Sequence, residues 1–418
     1  MLRKIALIAG VDGVLKAAGF LLLPIYVAWM PKAEFGEFGF LYSAIGVLLP
    51  IVSFGLYIPQ IKEFSSTTNL AYRTSIFSTT FLTITVLVIS VLAIVLVSGI
   101  WGGIAEVFFE VHRNVKFKGI ALSALLLAGA INLSLYAQAV SLQSAKVIGG
   151  FNALRFVLGN AVALTAMYIG LGYADTSLDR LVGMALGEII LSCIGFVSLS
   201  RGYWKFGIYL PYLAKALRIG LPIVPASIAS LIMAMSDRYF VNAFYGASYL
   251  AEYNLAIQIL APVQLVMTAS QTAWAPHVFS IADDGDAFST TIGFFLKVGA
   301  VLAVAVPLLA LVTLVAKHIG IIPLSYRDVE WLVPALALPV VGTALLQLPF
   351  NLFIRGGRSV WVAYVSGLGA VLTVSLGAVI VPAYGYFGAA AAGTIISVAL
   401  LIGAWYLAKR LQATTSPV

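Results

Sequence analysis

Charge is scarce in this chain: 10% of its 418 residues are Asp, Glu, Lys or Arg, against about a quarter in a soluble domain. Cysteine is scarcer still. The single Cys193 excludes a disulfide within the chain and a metal centre of the cysteine kind. The three histidines, His112, His277 and His318, stand far apart and read as loop or interfacial residues. No short segments alternate polar with apolar residues, which argues against a transmembrane β-barrel. No Walker-type phosphate loop occurs. No long basic tail or cluster is present, so the net charge of +8 points away from a nucleic-acid partner and toward the Lys/Arg excess that orients membrane proteins. A cleavable signal peptide is not expected, because the first apolar run is too long, holds Asp12 and Lys16 and lacks a small-residue cleavage site.

What fills the chain is apolar: 61% hydrophobic residues and a mean hydropathy of +1.04. A spanning helix needs roughly 20 such residues. Blocks of that length fall at Ile5–Met30, Glu37–Ile61, Thr74–Ile100, Gly119–Val140, Val147–Leu171, Leu181–Ser200, Leu217–Phe240, Ala251–Phe279, Thr290–Ala316, Trp331–Ile354, Val360–Pro382 and Phe387–Ala408. The expected class is therefore an all-α polytopic integral membrane protein with about twelve transmembrane helices. An even number places both termini on one side. Thirteen Lys/Arg fall on that side and eight on the other, which predicts cytoplasmic termini. The basic loop Trp101–Lys118 runs against this bias and leaves its own sidedness open.

The segment Arg201–Lys215, "RGYWKFGIYLPYLAK", interleaves basic residues with Tyr and Trp, as suits the headgroup interface. It divides the chain into a lobe over 1–200, an interfacial cytoplasmic linker over 201–216 and a lobe over 217–418. A faint repeat supports the division. Gly36-Glu37-Phe38 aligns with Ala251-Glu252-Tyr253, and "LVGMALGEII" from Leu181 resembles "YFGAAAAGTII" from Tyr386. Repeats of this kind are one transporter plan.

The same segments carry a resemblance. "LLLPIYVAWMPKAEFGEFGF" (Leu21–Phe40), "GLPIVPASIASLIMAMSDRYFVNAFYGASYLAEYNLAIQI" (Gly220–Ile259), "QTAWAPHVFS" (Gln271–Ser280) and "VPAYGYFGAAAAGTIIS" (Val381–Ser397) resemble the multidrug/oligosaccharidyl-lipid/polysaccharide (MOP) exporter superfamily, in its O-antigen or polysaccharide flippase (Wzx-type) branch. The most specific match is a Pro-broken seventh helix, an Asp-Arg pair, a Gly turn and a Tyr entering helix eight. The resemblance implies two six-helix lobes around a central cationic cavity, opening alternately to the two faces of a bacterial inner membrane. The implied cargo is an undecaprenyl-pyrophosphate-linked oligosaccharide, flipped from the cytoplasmic to the outer leaflet. Membrane lipids and polysaccharide assembly proteins are the implied partners. Lipid II flippases resemble the chain less, since they run about two helices longer.

Ionisable groups inside spans cost about 2.5 kcal/mol or more, so each is a candidate. Asp12 and Lys16 lie four residues apart on one helix face. Lys16 either faces the cavity and attracts pyrophosphate or forms an internal pair with Asp12. Arg155 suits phosphate, yet lies near enough to the cytoplasmic end to snorkel, and Lys297 carries the same two readings. Glu188 reads as a protonatable coupling group or as a structural carboxyl paired with Arg. Asp237 and Arg238 end helix seven, point in different directions, and are expected at a gate or lobe contact. Asn152, Asn160, Gln258, Gln264, Gln271, Gln347 and Asn351 can hydrogen-bond sugars in a wet cavity or simply bond helix to helix. No metal site and no cofactor are expected, and coupling to H+ or Na+ is left open.

Two other classes share this composition. A polytopic polymerase or ligase needs catalytic groups on a large outer loop, and no carboxylate pair or nucleophile–base set occurs in Trp101–Lys118, so an enzyme is not expected. A cation-coupled drug or small-molecule antiporter of the same superfamily shares the fold and would depend on Asp12, Glu188 or Asp237 rather than on Lys16.

Overall fold

The computed structural model describes residues 18–413 apart from 20, 99–113, 143, 172–174, 222, 282–283, 357 and 359. The described residues are helical or lie in turns, with no strand among them. Lipid offers the backbone no hydrogen bonds, so a helix, which satisfies its own, is the expected solution. Eight helical stretches are long and apolar enough to cross a membrane. The last of them holds two helices that meet at Gly385, where φ is 60° and ψ is −146°. The first predicted span lies largely outside the described residues.

The chain divides into two compact units, one holding Glu37–Leu231 and the other the described part of Lys16–Gly36 with Ile232–Val418. Against the 1–200 and 217–418 reading, 201–231 groups with the first unit and the segment before Glu37 with the second.

The short α1 (21–29) and the start of α2 (Lys32–Val52), up to Gly36, belong to the second unit; the rest of α2 lies in the first and ends earlier than its apolar run. A turn with Phe54 at φ 48° and Gly55 at φ 62° separates it from α3 (Tyr57–Ser66). Then come α4 (Leu70–Ser98), α5 (Val115–Ser141), α6 (Ala145–Ile169) and α7 (Thr176–Leu199). Asp175 caps α7 by accepting from the Leu178 N–H at 3.0 Å, a contact that satisfies one of the orphan donors of a helix start. Phe77, Leu135, Ile148, Phe151 and Leu191 form a core between α4, α5, α6 and α7.

The 201–216 segment is docked rather than free. Its α8 (Leu210–Gly220) packs on α3 and α4. Three consecutive buried hydroxyls of α4 receive it. Ser78 accepts from the Lys205 N–H at 2.9 Å and Thr79 from the Tyr209 N–H at 2.8 Å, while Thr80 shares a 2.9 Å hydrogen bond with the Tyr212 hydroxyl. Trp204 sets its ring edge-on to Phe81 and Phe196. Burial pushes the Tyr212 hydroxyl pKa up, with the Thr80 bond opposing it. Gly220 is needed where α8 ends, because a Cβ there would stand 2.3 Å from the Phe54 carbonyl oxygen.

The second unit holds the C-terminal part of α9 (Ile223–Tyr245), then α10 (Ala247–Ile259), α11 (Ala261–Ser280), α12 (Asp284–His318), α13 (Val329–Leu345), α14 (Gln347–Arg355) and α15 (Val360–Ala413). One predicted span is thus broken: Ala251–Phe279 divides at Leu260, two residues before Pro262. Trp331–Ile354 remains one stretch long and apolar enough to cross a membrane, with a local irregularity at Leu346. The two halves of α15 fold back as a hairpin, since Gly369 and Leu400 meet while flanking Gly385 almost symmetrically. Their core partners are Phe350 and Phe353 of α14. On α12, Leu296, Val301, Val304, Leu308 and Leu311 are exposed, the surface expected of a helix that faces lipid.

Candidate functional site

Helices α6 and α7 approach closely at two glycines one turn apart. A Cβ on Gly183 would lie 2.5 Å from Ala163 Cα, and one on Gly187 would lie 2.8 Å from the Leu158 carbonyl oxygen. Small residues at this spacing let membrane helices touch backbone to backbone. The contact brings Glu188, next to Gly187, against Arg155 of α6. Arg155 Nε donates to Glu188 Oε1 at 2.7 Å, and Asn132 Nδ2 of α5 donates to Oε2 at 2.6 Å. Ser192 Oγ donates to Asn132 Oδ1 at 3.1 Å and so orients that amide. The carboxylate is buried, whereas the Arg155 side chain is 40% exposed. The buried acid holds the guanidinium in place, and its terminal nitrogens keep the fork of donors used in bidentate recognition of phosphate.

A second charged cluster of this unit joins three helix ends. Lys118 Nζ lies 2.6 Å from Glu37 Oε1 and 2.8 Å from Asp175 Oδ2, all three side chains nearly buried. Arg180 stacks over the Phe38 ring, 3.8 Å from its centroid, a cation–π contact. Lys118 is therefore not a free loop cation. It belongs to the first turn of α5, and only 101–113 of the predicted outer loop lie outside the described residues.

In the second unit three consecutive residues of α10 reach three different elements. Glu252 pairs with Lys32 of α2 and accepts the Asp328 N–H at 3.1 Å, just before α13. Tyr253 donates to Asp237 of α9. Asn254 Oδ1 accepts from Arg238 Nε at 3.1 Å, and its Nδ2 donates to the Gly36 carbonyl at 3.1 Å. Gly36 is required here, because a Cβ would stand 2.3 Å from the Ala247 carbonyl oxygen. Tyr326 beside this cluster has its hydroxyl pKa raised by burial and by the Glu252 charge. The aligned acids behave alike: Glu37 engages the start of α5, and Glu252 engages the start of α13.

The second unit also contains an open cavity of about 430 Å³ between α11 and the α13–α14 bend. Gln264, Met267 and Gln271 line it from α11, and Val340, Thr343 and Gln347 from the other side. The spacing on each side is helical, so each set shares one face. None of these residues carries charge. Gln271 Oε1 accepts from Asn351 Nδ2 at 3.2 Å, while Gln271 Nε2 is buried with no hydrogen-bond partner among the described residues.

The predicted residues thus sort as follows. Arg155 and Glu188 are brought together. Asp237 and Arg238 have different side-chain partners, and they also lie 3.9 Å apart between Oδ1 and Nη1. Lys297 is exposed on α12. Gln264, Gln271 and Gln347 share one cavity, with Asn351 bonded to Gln271. Asp12 and Lys16 lie outside the described residues. Sequence reasoning passed over Asn132, Ser192, Lys32, Lys118 and Glu252. Of these Glu252 alone had a signal, its alignment with Glu37.

Among known proteins, the family model described as "Polysaccharide biosynthesis protein" matches residues 1–282. Comparison with curated proteins gives no match. The lipid II flippase MurJ in an inward closed conformation superposes with a TM-score of 0.71 at 13% identity, over 96% of this chain and 87% of that one. An inward-facing multidrug resistance MATE family transporter of the MOP superfamily gives 0.64 at 12% identity, over 97% and 100%. A MOP superfamily transporter from Pyrococcus furiosus gives 0.66 at 14% identity, over 99% and 97%. With a family model spanning two thirds of its length, the chain belongs to the polysaccharide biosynthesis protein family, and its fold is similar to that of these MOP-superfamily transporters.

Proposed function

We propose that this membrane protein flips an undecaprenyl-pyrophosphate-linked oligosaccharide of O-antigen type from the cytoplasmic to the outer leaflet of a bacterial inner membrane. It does so by alternating access, with both termini cytoplasmic and without covalent catalysis. The observation that carries the reading is Arg155, a cation left 40% exposed while its Glu188 partner is buried. Of the pair, the group presented outward is the one that suits a pyrophosphate. A cation antiporter needs the opposite, an accessible carboxylate. The membrane potential assists: it contributes about 2.3 kcal/mol per charge per 100 mV, and with the interior negative it favours outward movement of an anion. A nucleotide site is then unnecessary. Alternating access draws support from the fold, since MOP-superfamily MATE transporters of this fold are known in inward-facing and outward-facing conformations.

The test is reconstitution in liposomes with a fluorescent polyprenyl-pyrophosphate oligosaccharide, following its arrival in the opposite leaflet. Arg155→Ala together with Glu188→Gln avoids stranding a buried charge. Transport falls tenfold or more in that double variant, as loss of hydrogen bonds to a charged group implies. Transport equal to wild type, or wild-type export of a cationic dye with no lipid movement, overturns the reading in favour of the antiporter.

A further inference from the structure

We infer that the amide-lined cavity of the second unit binds a single uncharged sugar residue; this rests on the flippase reading and specifies which part of the cargo the cavity takes. A sugar presents neighbouring hydroxyls that each donate and accept, and a side-chain amide offers one acceptor oxygen and a donor nitrogen. Three glutamines and Thr343 converge on this cavity from two helical faces. Met267 and Val340 add the apolar surface against which the C–H face of a sugar ring can lie. The volume of about 430 Å³ falls within the range of about 300–1,000 Å³ for small-ligand pockets.

Gln271 Oε1 is fixed by Asn351 Nδ2, which holds that side chain against the cavity wall. The polar positions continue as a stripe, Thr343, Gln347 and Asn351, at intervals of one helical turn across the α13–α14 bend. The lining carries no charge, so an acidic sugar would be desolvated there without a partner. A neutral sugar is accepted and a uronate refused.

The test uses the full chain in phospholipid nanodiscs free of sugar-headed detergent, titrated with a panel of neutral methyl hexosides and with a methyl uronide. Saturation-transfer NMR reads binding. At least one neutral hexoside binds wild type, the uronide does not, and Gln264→Met and Gln347→Met each weaken binding roughly fivefold or more. Gln271→Met has the same effect but also frees Asn351, so the other two variants decide the matter if it melts early. Failure of every hexoside to bind, preference for the uronide, or unchanged affinity in both deciding variants overturns the assignment. Lipid flipping is measured on the same preparations. Hexoside binding without any flipping refutes the flippase reading and leaves the cavity assignment standing, whereas flipping with hexoside affinity insensitive to the variants refutes the cavity alone.

Discussion

Replacing Lys118 by Met tests whether the charged cluster at the start of α5 holds the first unit together. Lys118 Nζ stands between Glu37 and Asp175 at 2.6 and 2.8 Å, so the two carboxylate oxygens are about 5 Å apart at most. Without the ammonium, they repel each other by about 3 kcal/mol at an effective dielectric constant near 20. Removing one member of a buried ionic group costs about 3–5 kcal/mol, and the cost here belongs at the upper end because two acids lose one partner. Replacing the whole cluster is a different matter: buried ion groups exchanged for neutral ones are often neutral in stability. Lys118→Met with Glu37→Gln and Asp175→Asn should therefore recover most of the loss, and the amide oxygen that Asp175→Asn retains can still cap Leu178. The measurement is thermal unfolding in detergent by tryptophan fluorescence at one fixed scan rate. A single variant that melts with wild type, or a triple variant no better than the single, refutes the reasoning.

Three further outcomes are expected. Gly183→Ala forces α6 and α7 apart against backbone atoms and costs about 1–3 kcal/mol, whereas Gly159→Ala, whose Cβ meets nothing within 4 Å, is neutral or stabilising; parallel melts compare them. Gly385→Ala places a Cβ in a conformation open essentially to glycine, and lowers stability by about 1–3 kcal/mol in the same assay. Lys215 is exposed, and its hydrogen bond to Glu63 raises its pKa above the ordinary lysine value, so its contribution is complete below the unfolded-state pKa and lost as pH rises through the higher folded one. Lys215→Ala should then lower the melting point slightly near neutrality, by no more than an exposed pair supplies, and the difference from wild type should close along the alkaline limb of a stability–pH curve.

Membrane class and most spans were legible because hydropathy is local: a run such as Thr290–Ala316 needs no partner to declare itself. The breaks were less so. Gly55 and Pro262 signal the ends of α2 and α10, and Pro349, which has no N–H to donate to the Leu345 carbonyl, marks the α13–α14 junction; yet Pro334 and Pro339 sit inside α13 without ending it, so proline alone does not place a break. The helix within Leu217–Phe240 starts later than its apolar run, because Leu217–Gly220 complete the docked helix α8. Among the charges, candidacy could be read from the cost of burial, as for Arg155 and Glu188. Their pairing could not, since it depends on the glycine contact that sets the register of α6 against α7. Lys118 looked like a loop cation for the same reason: its acids come from residues 37 and 175, remote in the chain.

The hairpin of α15 bears on how the protein enters its membrane. Between Val360 and Ala408 no Asp, Glu, Lys or Arg occurs, and the reversal at Gly385 is made without a polar loop. Nothing charged has to be carried through the hydrocarbon when this pair of helices leaves the insertion machinery, so the penalty of about 2.5–3.5 kcal/mol per charge never arises. Arg355 and Arg358 precede the hairpin and Lys409 and Arg410 follow it, so basic residues flank both of its ends. These two helices can therefore be released together, as one insertion event.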